Sequence, residues 1–209
     1  MIKIRRLDDN LNIEGKRILL RVDFNVPMND ETITEDSRIK KVLPTIKYLI
    51  NKKAKIIIIA HLGRPKGKIV SKLTLKPIAK KLSEYVNHSV MFLNESIGAL
   101  AIENSKKLPN GKVMLLENLR FHKEEELNSE SFAKELSKIG DIYVNEAFPC
   151  SHRAHASVSE ITNHINSFGG QQLIEELNVI KMLTENVKKP ATCIIGGSKI
   201  STKSGILIN

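Results

Sequence analysis

Tryptophan is absent from this 209-residue chain, and aromatic residues of all kinds make up 4% of it. An interior built without them is aliphatic, drawn from the 41% hydrophobic fraction that Leu, Ile and Val dominate. The same shortage leaves little for base stacking, and no helical stretch carries a concentrated basic face, which argues against a nucleic-acid-binding domain. Two cysteines, Cys150 and Cys193, form neither a CxxC nor a disulfide framework, so a reducing compartment is expected. Cys193 lies in the apolar run Ala191–Ile195 and reads as a small buried hydrophobe. Long hydrophobic runs are also missing, with the longest aliphatic stretch about five residues against the ~18 a bilayer span requires. Met1-Ile2-Lys3-Ile4-Arg5-Arg6 has no apolar core of a signal peptide. The expectation is a cytoplasmic protein with no membrane partner. HExxH spacing, a Walker A loop, a Ser-His-Asp order, internal repeats and low-complexity segments are absent too. Neither a structural metal nor covalent nucleophilic chemistry is expected.

Basic charge is plentiful. Lys and Arg number 33 against 23 Asp and Glu, a net +10. Such a balance suits acidic partners: nucleic acid, an anionic membrane or phosphorylated metabolites. Much of it sits in lysine pairs such as Lys52-Lys53 and Lys80-Lys81, which serve equally as a solubilising surface. Charge alone selects no partner.

Apolar runs alternate with helix-period segments. Ile39, Val42, Leu43, Ile46, Leu49 and Ile50 recur at a spacing of three to four, predicting a helix that Asp36 or Ser37 caps and that Pro44 either kinks or robs of a hydrogen bond. Further helices are expected over Pro77–Val86, Phe132–Lys138 and Gln171–Asn186, and strands over Val90–Leu93 and Ala191–Ile195. Ile56-Ile57-Ile58-Ile59 is apolar at every position, as a strand covered on both faces must be. The pattern predicts a doubly wound α/β domain over residues 1–170, a parallel sheet in three layers, α/β/α, of Rossmann-like type. Residues 171–189 read as a linking helix and hinge, and residues 190–209 as a fragment of a second α/β domain.

Four strand-like runs end in charged clusters. Ile18–Val22 leads into Asp23-Phe24-Asn25, Lys55–Ala60 into His61-Leu62-Gly63-Arg64, Val113–Leu116 into Glu117-Asn118-Leu119-Arg120, and Asp141–Val144 into Asn145 and on to His152-Arg153-Ala154-His155. In a parallel sheet the carboxyl ends of the strands share one edge, where ligands bind. Asp23, Asn25, His61, Arg64, Arg120, His152 and Arg153 are therefore expected in one pocket, and three guanidiniums there suit a multiply charged small anion. Arg38 falls in the first turn of a helix, where the macrodipole disfavours a cation. It either shares an anion with the helix amides or is neutralised locally by Glu35 and Asp36. Gly196-Gly197-Ser198-Lys199 could cradle a phosphate.

Taken in order, Arg21-Val22-Asp23-Phe24-Asn25-Val26-Pro27, His61-Leu62-Gly63-Arg64-Pro65, Glu117-Asn118-Leu119-Arg120-Phe121, His152-Arg153-Ala154-His155 and Gly196-Gly197-Ser198-Lys199 resemble the phosphoglycerate kinase family. That resemblance implies a two-domain glycolytic enzyme moving a phosphoryl group between 1,3-bisphosphoglycerate and ADP to give 3-phosphoglycerate and ATP, with Mg2+ accompanying the nucleotide. It implies a substrate site formed by Asp23, Phe24, Asn25, Arg38, His61, Leu62, Gly63, Arg64, Arg120, His152 and Arg153. Arg38 and Lys199 would be catalytic, Lys199 and Lys203 would meet the nucleotide, and the protein would be a monomer. Family members continue past Asn209, so the expectation is a truncated substrate-binding half without turnover of its own. Pro149-Cys150-Ser151 stands where the family commonly has Gly-Thr-Ala, and Glu146 where it has aspartate. A non-catalytic phospho-metabolite module is the competing expectation.

Overall fold

The computed structural model describes residues 4–8 and 10–185, together with 187, 189, 190, 192 and 194. The chain divides into two compact units, residues 1–176 and 177–209. The first unit holds a six-stranded sheet. Its strands are β1 (Arg17–Arg21), β4 (Lys55–Ile59), β5 (Met91–Leu93), β6 (Val113–Leu116), β7 (Ile142–Asn145) and β8 (Ser167–Gly169), in the order β5-β6-β4-β1-β7-β8 and parallel throughout. A short hairpin, β2 (Met28–Asn29) with β3 (Thr32–Ile33), precedes the first helix. The helices are α1 (Ser37–Asn51), α2 (Lys76–Val86), α3 (Ala99–Lys107), α4 (Lys123–Glu126), α5 (Glu130–Ser137) and α6 (Gln171–Glu185).

Strand side chains alternate between faces, and here both faces are buried. Ile18, Leu20, Ile56, Ile58, Val113 and Leu115 pack with Ile39, Val42, Ile46 and Leu49 of α1 and with Ile78 and Leu82 of α2. Leu19, Ile57, Ile59, Met114, Leu116 and Tyr143 pack on the opposite face with Ala101 of α3 and with Phe132, Ala133 and Leu136 of α5. This is the expected three-layer arrangement, and it explains why the central strands are apolar through their middles, as at Ile18–Leu20 and Ile56–Ile59. Ile57 is fully buried in the central β4. Ile57→Ala should cost about 2–5 kcal/mol of unfolding free energy, readable as a lower urea midpoint at unchanged slope.

Helix α1 runs unbroken through Pro44, whose ring leaves the carbonyl of Lys40 without its intrahelical donor. Its amino end is not capped as expected. The side chain of Asp36 accepts from Tyr85 Oη and pairs with Lys40 Nζ at 2.8 Å. Glu35 Oε1 instead accepts from the Ser37 amide at 2.6 Å. Immediately after β7, Glu146 closes the start of α6. Its carboxylate accepts from Leu173 N at 3.0 Å and from Thr45 Oγ1 of α1. Burial pushes the Glu146 carboxyl above its usual range. The boundary between the two units falls within α6, and the strand expected over 191–195 lies mostly outside the described residues.

Candidate functional site

The chain leaves β1 for β4 on one side of the sheet and crosses to β7 on the other, so β1, β4 and β7 surround a point where the winding reverses. Such a reversal opens a crevice at the carboxyl ends of the strands. A cleft of about 290 Å³ lies there, lined by Asp23 and Asn25 after β1, Arg38 at the start of α1, His61, Gly63 and Arg64 after β4, Arg120 after β6, and Pro149, Cys150 and Arg153 after β7.

Asp23 and Asn25 form one wall. Asp23 Oδ1 accepts from the Asn25 amide at 3.1 Å, and Asn25 Oδ1 accepts from the Gly63 amide at 2.8 Å, tying the β1 turn to the β4 turn. The other oxygen of Asp23 pairs with Arg38 Nη1. The helix-start arginine is thus neutralised, but by buried Asp23 across the cleft and not by Glu35 or Asp36 beside it. Arg38 stays half exposed, and among the described residues only Asp23 takes a hydrogen bond from its guanidinium, which leaves further N–H donors to meet a ligand.

Arg120 is 3% exposed. Its Nη1 donates to the Gly63 carbonyl at 2.8 Å, and its Nε lies 3.4 Å from Glu126 Oε1. Burial pulls its pKa below the usual arginine value, yet guanidinium remains the charged form at neutral pH. Gly63 has a φ of +63°, and a Cβ there would come within 2.8 Å of Leu73 Cδ2. Glycine therefore serves this turn both by its conformation and by its lack of a side chain. Arg64 is exposed and Arg153 half-buried. Four guanidiniums against the single carboxylate of Asp23 make the cleft strongly attractive to a multiply charged anion.

His61 is buried, and its Nδ1 sits 3.1 Å from Nη2 of Arg21. Burial, joined by the charges of Arg21, Arg120 and Arg153, drives its pKa far below the ordinary 6.5. The unfolded chain therefore takes up the proton first on acidification. The stability His61 contributes is complete above pH 6.5 and is lost as pH falls below it, at about 1.4 kcal/mol per pH unit for one proton. His155 and His122, also held below their ordinary value by burial, act in the same direction. The urea midpoint should drop between pH 7 and pH 5, and His61→Gln should remove one proton's share of that slope.

Not every expected residue lines the cleft. The side chains of Phe24 and Leu62 are buried in the apolar core, which leaves these two residues only their backbone for a ligand. His152 is exposed, and its Nε2 accepts from Arg153 Nε at 3.3 Å, a contact that orients Arg153. Lys199 and Lys203, and with them Cys193 and the Gly196-Gly197 turn, lie outside the described residues. Pro149 occupies a short 3₁₀ turn, Phe148–Cys150, whose Cys150 and Ser151 amides bond back to Ala147 and Phe148. Pro149 is accommodated in a turn whose hydrogen bonds come from the Cys150 and Ser151 amides.

Two residues of the cluster after β6 have roles that the sequence did not assign. Asn118, fully buried, accepts from Arg120 N at 3.1 Å and donates to the carbonyls of Leu62 and Leu73 at 2.8 and 2.9 Å, so one side chain fastens three loops around the cleft. Glu117 accepts from Thr74 Oγ1 at 2.6 Å and Leu75 N at 2.9 Å. Asp23, His61 and Cys150 bring potential ligand atoms within 4.8 Å of one another. Asp23 is already committed to Arg38 and His61 Nδ1 to Arg21, and the surrounding guanidiniums repel a cation, so this group favours an anionic occupant.

The sequence model of the phosphoglycerate kinase family matches residues 8–209. A phosphoglycerate kinase from Gloeothece citriformis is 49% identical over 198 residues, covering 94% of this chain and 49% of that protein. One from Prochlorococcus marinus strain MIT 9312 is 48% identical over 201 residues, covering 95% and 50%. Among solved structures, phosphoglycerate kinase from Coxiella burnetii superposes with a TM-score of 0.84 at 38% identity, and that from Pyrococcus horikoshii with 0.86 at 34%, each over 95% of this chain and 50% of the other. The chain spans about half the length of the relatives it matches. With its doubly wound parallel sheet and its arginine-lined cleft, this chain belongs to the phosphoglycerate kinase family.

Proposed function

We propose that the cleft binds the phosphoglycerate partner of the reversible phosphoryl transfer between 1,3-bisphosphoglycerate and ADP. The convergence of Arg38, Arg64, Arg120 and Arg153 opposite Asp23 and Asn25 carries this reading. A three-carbon phosphate ester has a dianionic end for a guanidinium cluster and a hydroxylated carboxyl end for an Asp–Asn wall. Arg64, Arg120 and Arg153 take the phosphate, with the N–H of His61 beside them and His152 orienting Arg153. Asp23 and Asn25 meet the hydroxyl and carboxyl groups, and the Phe24, Leu62 and Gly63 backbone shapes the floor.

Arg38 reaches the phosphoryl group in flight. Phosphoryl transfer asks a protein chiefly to align donor and acceptor and to neutralise charge on the equatorial oxygens. Arg38 supplies one such charge from a half-exposed position beside Asp23, and Lys199 supplies another. Lys203 contacts the nucleotide phosphates, and Mg2+ entering with ADP or ATP screens their charge. On this reading residues 1–170 form the phosphoglycerate-binding domain, 171–189 link it to the nucleotide side, and the protein is a cytoplasmic monomer. Among the described residues, no helix is long and apolar enough to cross a membrane.

A chemical-shift titration of the isotope-labelled chain tests the assignment. Addition of 3-phosphoglycerate should shift the amides of Gly63, Arg64, Arg120 and Arg153 saturably, inorganic phosphate a subset of them weakly, and glycerate scarcely at all. Equal shifts for all three ligands, or shifts remote from the cleft, would refute the reading.

A further inference from the structure

The least expected charge in the fold is Arg21. It closes β1, is fully buried, and lies behind the wall of the cleft, not on its lining. A buried cation is costly, and an apolar residue of similar size usually serves stability as well or better. Its surroundings account for the cost. Nε donates to Ser157 Oγ at 2.9 Å, Nη1 donates to the Val22 carbonyl, and Nη2 meets His61 Nδ1 at 3.1 Å. Ser157 Oγ passes its single proton to Glu125 Oε1 at 2.6 Å, while the Ser157 amide donates to Glu125 Oε2 at 2.9 Å. Tyr143 Oη holds the Ser157 carbonyl at 2.7 Å. The positive charge of Arg21 is therefore balanced by buried Glu125 of α4 through one hydroxyl, and the fork is fixed from three sides.

A guanidinium carries five N–H donors and no acceptor. The imidazole nitrogen facing it must present a lone pair, which leaves the ring proton on Nε2. We infer that Arg21 is a positioning residue that fixes His61 as the Nε2–H tautomer, a hydrogen-bond donor toward the anion cleft. The charged and titratable groups around His61 are Arg21, Asp23, Arg120, Cys150, Arg153 and His155, from the ends of β1, β6 and β7. The nearest cations oppose protonation of the ring, and so does its burial. His61 then offers the ligand a neutral N–H, and anion binding stays independent of its titration. The inference rests on the phosphoglycerate reading for the use of that N–H, while the tautomer can be read without any ligand.

A two-bond ¹H–¹⁵N spectrum of the imidazole side chains in the full, ligand-free chain tests it, with His61 assigned by its loss in His61→Gln. The expected result is an Nε2–H tautomer unchanged from pH 8 to pH 5. An Nδ1–H tautomer, or an imidazolium forming in that range, overturns the inference. In Arg21→Met the ring is expected to populate both tautomers, while burial and the charges of Arg120 and Arg153 still oppose its protonation. The affinity for 3-phosphoglycerate should fall about 10-fold, in the manner of one lost charge-held hydrogen bond. Arg21→Lys, which keeps a charged donor, should restore the Nε2–H form. A folded Arg21→Met protein with the wild-type tautomer alone also overturns it. Should Arg21→Met not fold, Ser157→Ala releases Nε of Arg21, and an undisturbed His61 spectrum in that variant counts against the inference. A correct tautomer in a chain that ignores 3-phosphoglycerate would leave the Arg21 assignment standing and remove the substrate reading alone.

Discussion

Arg120→Met should weaken 3-phosphoglycerate binding about 100-fold, or about 2.7 kcal/mol, the largest binding loss of any single cleft residue. Arg64 and Arg153 are more exposed, and water screens what each contributes. Arg120 is desolvated and held by the Gly63 carbonyl, so its charge acts at short range in a poorly screened setting and its fork is already oriented. Methionine keeps much of the stem's packing, which separates the lost charge from a lost contact. Arg120→Lys should recover only part of the affinity, because a single ammonium cannot hold the glycine carbonyl and present a planar fork to phosphate together. Calorimetry of the three proteins checks the ranking. An Arg120→Met protein that binds like the wild type would move the phosphate elsewhere in the cleft.

Glu125→Ala should be the most destabilising single change near the site, at about 3–5 kcal/mol. Glu125 is fully buried and accepts both protons of Ser157, while His155 Nδ1 lies 3.9 Å away. Its removal leaves the charge of Arg21 without a counter-ion and strips the Ser157 amide of its acceptor, two separate penalties for unpaired buried groups. At this domain size the change should lower the melting temperature by roughly 10 °C. Glu125→Gln, which keeps acceptor oxygen but not charge, should cost less. Equal melting temperatures for Glu125→Ala and wild type would show that Arg21 finds its compensation elsewhere.

The sheet was legible because strand and helix write different periods. Ile56 to Ile59, apolar at each position, suits a strand covered on two faces, and the α1 stripe from Ile39 to Ile50 supplies one of its covers. The cleft was legible for a topological reason: parallel strands deliver their carboxyl ends to one edge, so Asp23, His61, Arg120 and Arg153 had to converge. The β2–β3 hairpin and strand β8 escaped notice because two or three residues carry no period. Helix α3 escaped because its buried face is only Ala101 and Ser105. The partner of Arg38 was hidden for another reason. Glu35 and Asp36 are its neighbours in sequence, but Tyr85, Lys40 and the Ser37 amide occupy them, and Asp23 reaches it through the fold. Asn118, Glu125 and Ser157 act through contacts between loops far apart in the chain, and no local pattern announces such contacts. Arg21 left a trace, a charge that closes the apolar run Ile18–Leu20 of β1.

The carboxyl edge of the sheet is proposed as a phosphoglycerate site. Its most direct test is a calorimetric titration of the chain with 3-phosphoglycerate at physiological salt, with Arg38→Ala and Arg120→Met run alongside. Saturable one-site binding is expected in the wild type, weakened in both variants. Absence of binding by a folded wild-type protein, or binding that both variants retain in full, would contradict it.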